Sequence, residues 1–297
     1  MKIAVTTPTG NVGSKLSNLL LDRGAEVTLI ARHPGKVNAL VARGARVVAG
    51  EHDNSSVLED AVRDANALFW VNPTNYTSRD PLGDARRFAN AAANVILKHP
   101  ELRLVQLSSV GAQLPSGTGP IVGLHYAENK FRSVAKNFVA LRANYFMENI
   151  LTSLPTILSD GNIYTSNSGS VTTPQIATRD IAAVAAEVLL SGANGQRVID
   201  LAGPEDISFD YCAEVIGGEL GQPVRVVTIP GEKLKVGLVQ AGLSSQLADL
   251  LVEIQASFER GMPHELVGDE KRVGKTPYPQ FVREAVVPAA RNAEVRS

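Results

Sequence analysis

The stretch MKIAVTTPTGNVG, residues Met1–Gly13, decides the fold of this chain, because it joins an apolar strand to a glycine turn. Lys2–Thr6 is a short apolar run with β-branched residues at its end, and the residues after it interrupt the run. Ser14–Asp22 then resumes with leucines at helical spacing. A strand, a glycine turn and a helix in this order predict the opening unit of a dinucleotide-binding fold.

The turn contains the small residues that a bound pyrophosphate requires. Its pattern is T-x-x-G-x-x-G, with Thr7 where many such loops carry their first glycine. Free backbone N–H groups and the positive end of the helix dipole favour a phosphate at this place. The alternative is a tight strand-to-helix turn without a ligand. We predict that a dinucleotide contacts Thr7, Thr9, Gly10, Asn11 and Val12.

A second apolar strand, Glu26–Ala31, is followed directly by Arg32. In dinucleotide-binding folds the end of this strand meets the adenosine ribose. An acidic residue there selects the free 2′-hydroxyl, whereas an arginine accommodates a 2′-phosphate. Arg32 therefore favours NADP(H) as the cofactor. The alternative is that Arg32 only begins a solvated helix.

Strands and helices alternate through the first half of the chain. Apolar runs predict four further strands, at Arg46–Ala49, Ala67–Val71, Leu102–Leu107 and Phe138–Arg142. The segments between them have helical patterns, including an alanine-rich helix over Pro81–Lys98. Such alternation predicts an α/β fold, a Rossmann-type doubly wound parallel sheet, in a dinucleotide-binding domain over residues 1–150.

The second half is predicted to form a smaller C-terminal α/β substrate lobe over residues 151–285. Within it, the segment 172–202 contains the strand Arg197–Leu201, which we expect to return to the main sheet. A strand at Val224–Ile229 and the helices around it would cover the strand ends, where a substrate would be held. The tail, residues 286–297, has little periodicity and is expected to fray.

Two polar side chains follow later strands of the predicted sheet. Asp53 ends the loop after the third strand, which should lie beside the adenine. Asn72 follows the fourth strand, where the carboxyl edge of the sheet meets the cofactor, so we assign it a hydrogen bond to the cofactor. A turn residue before proline is the alternative role for Asn72.

Composition limits the classes of function. Among 297 residues, 29 basic and 30 acidic side chains give a net charge of −1, so nucleic-acid binding by charge is not expected. Three features predict a cytoplasmic protein that does not enter membranes. They are the single cysteine Cys212, the absence of a leader-like start, and apolar runs shorter than the ~20 residues of a membrane span. The histidines are too scattered to predict a metal site: His33, His52, His99, His125 and His264.

Five motifs resemble, in their order, those of the NmrA-like family of atypical short-chain dehydrogenases. They are TPTGNVG, ARHPGKV, LSSVGA, LRANYFMENIL and DLAGPEDISF, and they extend over nearly the whole chain. The resemblance implies a Rossmann fold, a preference for NADP(H) and a pocket between the sheet and the C-terminal lobe. It also implies that Tyr145 and Phe146 lie beside the nicotinamide, and the alternative is that these two aromatic residues belong to the core.

Orthodox short-chain dehydrogenases use a Ser, Tyr and Lys triad whose residue types this chain contains. In those enzymes the tyrosine donates a proton to the substrate carbonyl, and the lysine holds the ribose and lowers the pKa of the phenol. Tyr126 and Lys130 have the required i, i+4 spacing, and Ser108 or Ser109 ends the preceding strand. We predict catalytic roles for Tyr126, Lys130 and Ser108. The alternatives are a partly exposed helix pair for Tyr126 and Lys130, and a cap of the following loop for Ser108 and Ser109.

Aligning this helix with the family motif leaves a second possibility for the proton donor. Without a gap, the family's frequent Lys or His falls at Leu124, and a one-residue gap moves it to His125. His125 is therefore a rival acid, because an imidazole titrates near neutral pH. A surface or capping role is the alternative for this histidine.

The motifs together predict an NADPH-dependent oxidoreductase that reduces a small carbonyl, quinone or enone substrate by hydride transfer. Because the family also includes sensors that bind the dinucleotide without turning over a substrate, the alternative is a non-catalytic NADP(H)-binding redox sensor or regulator with a partner protein. Either form could be a homo-oligomer. A sugar-nucleotide epimerase shares Tyr-x-x-x-Lys but usually holds NAD, so Arg32 disfavours it.

Overall fold

The structure, a computed structural model, describes residues 1–192, 194–262 and 265–294. Its strands are β1 Lys2–Thr6, β2 Glu26–Ala31, β3 Arg46–Ala49, β4 Ala67–Val71, β5 Arg103–Ser109, β6 Asn137–Ala143, β7 Asn162–Thr165, β8 Thr172–Thr173, β9 Gln196–Ala202, β10 Ile207–Ser208, β11 Arg225–Thr228 and β12 Glu270–Val273.

Helices connect most of these strands. The α-helices are α1 Asn11–Asp22, α2 Asn38–Ala42, α3 Ser55–Val62, α4 Pro81–Lys98, α5 Ile121–Val134, α6 Leu154–Asp160, α7 Thr178–Leu190, α8 Phe209–Leu220, α9 Gly231–Gln240, α10 Ser245–Glu259, α11 Tyr278–Phe281 and α12 Val287–Glu294. Short 3₁₀ helices occur at Pro34–Val37 and Met147–Ser153, and a π-helical turn at Val282–Val286 joins α11 to α12. Among the described helices, none combines the length and the apolarity needed to cross a membrane.

The central sheet has eight strands in the order β3-β2-β1-β4-β5-β6-β9-β12, and each neighbouring pair is parallel. Val5 in β1 pairs with Leu29 on one side and with Phe69 on the other. The chain order reverses between β1 and β4, as in doubly wound sheets that bind dinucleotides. The α/β, Rossmann-type fold class predicted from the sequence is therefore confirmed.

Apolar layers cover both faces of this sheet. Because successive strand residues point to opposite faces, Ile3 packs in the layer with α1 and α7, whereas Ala4 packs in the layer with α3 and α4. Burial on both faces explains why Ala67–Val71 is apolar throughout. Ala89 and Ala93 of α4 are fully buried, because small side chains let this helix approach its neighbours closely.

The lobe after β6 is built on two small sheets. β7 pairs with β11 in parallel, and β8 pairs with β10 in antiparallel. Ile157, Ile163, Ile216 and Phe281 belong to its buried core. β9 leaves the lobe and lies beside β6 in the main sheet. The lobe therefore has its own core, although the chain leaves it to form β9 of the main sheet and then returns to it.

Two segments near the C-terminus differ from the sequence expectations. β12 lies beside β9 as an outer strand of the main sheet, although its sequence falls in the expected lobe. The tail is also not frayed over 286–294, because Val282, Val286 and Ala290 recur every four residues and bury their side chains in the core of the lobe. Residues 295–297 and His264 lie outside the described residues.

Candidate functional site

The loops that carry the sequence-predicted site residues leave the main sheet at one edge. All eight strands are parallel, so their carboxyl ends meet there. In open α/β sheets, ligands bind in the crevice outside this edge, where the strand order reverses. The loops after β1 and β4 flank that point. The topology therefore brings segments that are distant in sequence to one crevice.

The loop between β1 and α1 is tightly folded. Thr7 has a positive φ of +48°, and its carbonyl accepts the N–H of Gly10 at 3.0 Å. A Cβ atom on Gly13 would lie 2.2 Å from the Thr7 carbonyl oxygen, so no side chain fits there. Gly10 is the N-cap of α1, and the first N–H groups of a helix have no acceptor within it. The loop can therefore present the N–H groups of Asn11 and Val12 to an anion.

A cavity of about 470 Å³ lies beside this loop. Thr9 lines the cavity, and so do Lys36 and Arg43 from the segment after β2. Arg43 is already paired with Asp22, so Lys36 is the cation that would suit a phosphorylated ligand beside the N-terminus of α1. The sequence analysis did not single out Lys36, although the basic run ARHPGK was the signal that could have done so.

Arg32 follows β2 at the same edge and is largely exposed. Its Nε lies 3.9 Å from Oε2 of Glu51, which follows β3. The two side chains are close because Ala31 and Ala49 are register partners in adjacent strands. A guanidinium at the end of the second strand suits the 2′-phosphate of a ribose held by the preceding loop. Glu51 is therefore an acidic neighbour of this candidate phosphate site.

His52 is a site residue that the sequence analysis missed. It is buried, and its Nε2 lies 3.4 Å from the N–H of Thr7, at the long end of the hydrogen-bond range. The imidazole meets the rings of Trp70 and Phe88 edge-on. Burial and the charge of Arg32 lower the pKa of His52 to about 4. An uncharged His52 can therefore accept the Thr7 N–H and support the strained loop.

Asp53 and Asn72 both contact α4. The carboxylate of Asp53 lies 3.1 Å from Nε of Arg87. Asn72 accepts the Trp70 Nε1–H at 2.6 Å, and its Nδ2 lies 3.5 Å from the Ala85 carbonyl. These contacts fix both side chains at the carboxyl edge. The roles predicted for Asp53 and Asn72 at the cofactor stay predictions.

Ser108 lies in a buried polar group at the end of β5. Its hydroxyl donates to Oε1 of Glu128 at 2.6 Å, and Arg142 donates to both oxygens of that carboxylate at 2.9 and 2.7 Å. Burial acts to lower the pKa of Arg142, but the hydrogen bonds and charge of Glu128 outweigh it and raise this pKa. Ser108 therefore helps to satisfy a buried ion pair between α5 and β6.

Tyr126 points towards α4. Its hydroxyl donates to Oδ1 of Asn90 at 2.9 Å, and its ring packs against the core on the α3–α5 face of the sheet. Lys130 is partly buried one turn later on α5. The structure thus gives Ser108 and Tyr126 different partners instead of joining them. Their catalytic roles stay predictions.

A second group of side chains on and around α5 forms what we call the apolar cluster. Its buried members are Val110, Ala112, Ile121, Phe258 and Met262, and Leu124, Tyr145 and others pack against them. The cluster lies between the loop after β5 and the end of α10. Leu124, which the ungapped alignment places at the family's Lys or His position, therefore packs in an apolar environment.

Tyr145 and His125 differ in how they border this cluster. The ring of Tyr145 meets Phe209 and Phe258 edge-on, each at 5.7 Å between centroids. Burial, with a smaller effect of Cys212, raises the pKa of Tyr145 to about 12, so its phenol stays protonated. The Nδ1 of His125 lies 2.9 Å from the Ala112 carbonyl, and its Nε2 lies 2.9 Å from Nδ2 of Asn129. Both nitrogens of His125 are therefore engaged.

Lys15 joins α1 to the segment after β6. Its Nζ donates to Thr178 Oγ1 at 2.9 Å and to the Asn11 carbonyl at 3.0 Å, and it lies 3.6 Å from Oε1 of Glu148. The Glu148 carboxylate accepts the Thr178 N–H at 3.0 Å. These contacts link the glycine-loop helix to the segment that follows Tyr145. Lys15 belongs to no pattern that the sequence analysis used, and Glu148 lies within the motif LRANYFMENIL but was given no role there.

The strand order and the glycine loop define a Rossmann-type α/β protein. Residues 1–262 match the NmrA-like family, so the chain belongs to that family. This assignment confirms the resemblance drawn from the motifs.

Relatives and solved structures match most of the chain. The oxidoreductase YesF of Bacillus subtilis, itself uncharacterized, is 28% identical and covers 93% of this chain and 91% of its own. An NAD(P)H azoreductase of Xenophilus azovorans is 28% identical over 86% of both chains. A quinone oxidoreductase of Escherichia coli, solved with NADPH, has a TM-score of 0.73 at 22% identity and covers 88% of this chain and 90% of its own.

Proposed function

We propose that this protein is an NADPH-dependent oxidoreductase that reduces a small carbonyl, quinone or enone substrate by hydride transfer. The observation that carries the proposal is the loop between β1 and α1, where Gly13 packs against Thr7 at the start of a helix whose first N–H groups have no acceptor within it. Named relatives of the chain include an oxidoreductase and an azoreductase, which supports the reaction class.

The residues at the carboxyl edge fit NADP(H) in chemical type. The N–H groups of Gly10, Asn11 and Val12 would bind the pyrophosphate, with Thr7 and Thr9 bordering it. Arg32 would bind the 2′-phosphate, because its guanidinium is exposed at the end of the second strand. The adenine would lie near the loop that ends in Asp53. The bound cofactor supplies the hydride.

The apolar cluster is proposed to line one side of the substrate pocket. Its aliphatic and aromatic side chains favour a flat apolar substrate and exclude water from the place where the hydride is transferred. Tyr145 borders the cluster with a phenol that stays neutral at physiological pH. It can therefore donate a hydrogen bond to a substrate oxygen without carrying charge.

The proton that completes reduction has three candidate sources. Tyr126 with Lys130 and Ser108 is the triad proposed from sequence, and in it Lys130 would also hold the ribose. The Tyr126 hydroxyl donates a hydrogen bond to Oδ1 of Asn90 at 2.9 Å. Tyr126 can therefore donate a proton to the substrate only after this hydrogen bond breaks. His125 or solvent are the other sources. Substitution of Tyr126 separates the first source from the other two.

The direct test is loss of NADPH absorbance in the presence of a panel of quinones, enones, ketones and azo dyes. We expect turnover with at least one of the planar acceptors. Parallel titrations with NADPH and NADH would measure cofactor preference independently of turnover. Tight NADPH binding without turnover on any acceptor would contradict the reductase proposal.

The second candidate function is a non-catalytic NADP(H)-binding regulator that contacts a partner protein or a second copy of this chain. Its support is that Ser108 and Tyr126 are engaged by Glu128 and Asn90. In addition, apolar Leu124 stands where the family frequently has Lys or His. A regulator would bind NADPH as tightly as the reductase and would leave its absorbance unchanged with every acceptor.

A further inference from the structure

Glu51 and Arg32 form a pair at the edge of the sheet that bears on which dinucleotide is bound. We propose that Glu51 sets the cofactor preference by weakening binding of the 2′-phosphate and favouring a free 2′-hydroxyl, so that the protein uses NADH as well as NADPH. The proposal rests on the proposed binding of a nicotinamide dinucleotide. It adds an acidic specificity residue to the basic one already assigned.

The geometry places both charges at the same point. Arg32 lies one residue beyond the Ala31–Ala49 register pair, and Glu51 lies two residues beyond it on the neighbouring strand. Nε of Arg32 is 3.9 Å from Oε2 of Glu51, and the two side chains are 61% and 55% exposed. Both heads can therefore reach a ribose substituent above the ends of β2 and β3.

The other charged groups nearby do not substitute for Glu51. The carboxylate of Asp53 is bound by Arg87 at 3.1 Å and is turned towards α4. His52 is buried and uncharged at neutral pH, because its pKa is lowered to about 4 mainly by burial. Lys36 is a cation that lines the cavity beside the glycine loop, and it carries no negative charge that could take the place of Glu51. Glu51 is thus the carboxylate that pairs with Arg32 in this part of the described structure.

The two cofactors respond to this carboxylate with opposite sign. A 2′-phosphate bound by Arg32 would lie close to the negative charge of Glu51. Repulsion between two like unit charges about 4 Å apart in water lowers a binding constant by about fivefold. A ribose with free hydroxyls feels no such repulsion, and a carboxylate can accept their hydrogen bonds, as acidic residues do in NAD-binding folds.

The experiment compares Glu51→Gln with Glu101→Gln, a matched control. Glu101 is also exposed and ion-paired, with Lys136, but it lies just before β5 at the opposite edge of the sheet. Each protein is titrated with NADPH and with NADH by fluorescence of the reduced nicotinamide. The titrations are run at low salt and again at about 1 M salt, where the Debye length falls to about 3 Å.

We expect Glu51→Gln to bind NADPH about fivefold more tightly and NADH no more tightly than the unaltered protein, with the gain reduced at high salt. The control should match the unaltered protein for both. A Glu51→Gln protein with the same ratio of NADPH to NADH affinity as the control would overturn the inference. Failure of the unaltered protein to bind either dinucleotide would instead overturn the proposed function.

Discussion

Gly13 offers the sharpest test of the glycine loop. In Gly13→Ala the new methyl carbon would be built 2.2 Å from the Thr7 carbonyl oxygen, which is backbone and cannot rotate away. Removing the overlap requires the loop and the first turn of α1 to separate by about 1 Å. Such overpacking costs about 1–3 kcal/mol of folding stability, more than the gain of up to ~1 kcal/mol from replacing a helical glycine by alanine.

The same displacement should impair cofactor binding. Moving the N–H groups of Asn11 and Val12 by this distance would disrupt at least one hydrogen bond to a charged group, worth about 1.5–3 kcal/mol. We therefore expect NADPH affinity to fall by about 10- to 100-fold in a fluorescence titration. Gly237→Ala in α9 is the control, because its new methyl group meets open space in the described structure. If Gly13→Ala binds NADPH as tightly as this control, the loop is not the pyrophosphate site.

Three other substitutions test separate parts of the site. Arg32→Ala should weaken binding of NADPH about tenfold or more and binding of NADH little. Titrations in which the preference for NADPH over NADH is unchanged would contradict the role proposed for Arg32. If Tyr126 donates the proton, Tyr126→Phe should lower kcat by ~10²- to 10⁴-fold at nearly constant NADPH affinity, whereas normal turnover would leave the proton to His125 or solvent. Burial lowers the pKa of His52 from 6.5 to about 4. As the pH falls, the unfolded chain therefore binds a proton at this histidine before the folded chain does. The free energy of unfolding should decrease from about pH 6.5 towards pH 4, by roughly 3 kcal/mol at most. Urea unfolding at several pH values should show that this loss is smaller in His52→Phe.

The central sheet could be predicted because its sequence signals are local. Each buried strand, such as Ala67–Val71, is a short apolar run between turn residues, and the helices between strands have regular spacing. β12 lacks this signal, because EKRV is an edge strand with polar side chains and only one neighbour. α12 was missed because small residues, such as Ala290, fill its contacts with the lobe.

The candidate cofactor edge has a clearer sequence signal than the candidate catalytic residues. The glycine loop and Arg32 are recognisable because backbone geometry and charge at strand ends follow from position in the chain. The partners of Ser108 and Tyr126 do not follow from spacing, since Glu128 and Asn90 meet them only after α4 and α5 pack together. His52 was missed for the same reason, because a single histidine after a strand carries no pattern until its burial is known.

In the proposed reaction, hydride passes from bound NADPH to a small acceptor. The most direct measurement mixes the preformed protein–NADPH complex with an accepted quinone or enone in a single turnover and repeats it with NADPH deuterated at the transferring position. We predict loss of one NADPH for each acceptor reduced, at a rate that is slower with deuterated NADPH. A complex whose NADPH remains unoxidised with every acceptor would contradict the proposed reaction and indicate a dinucleotide-binding regulator.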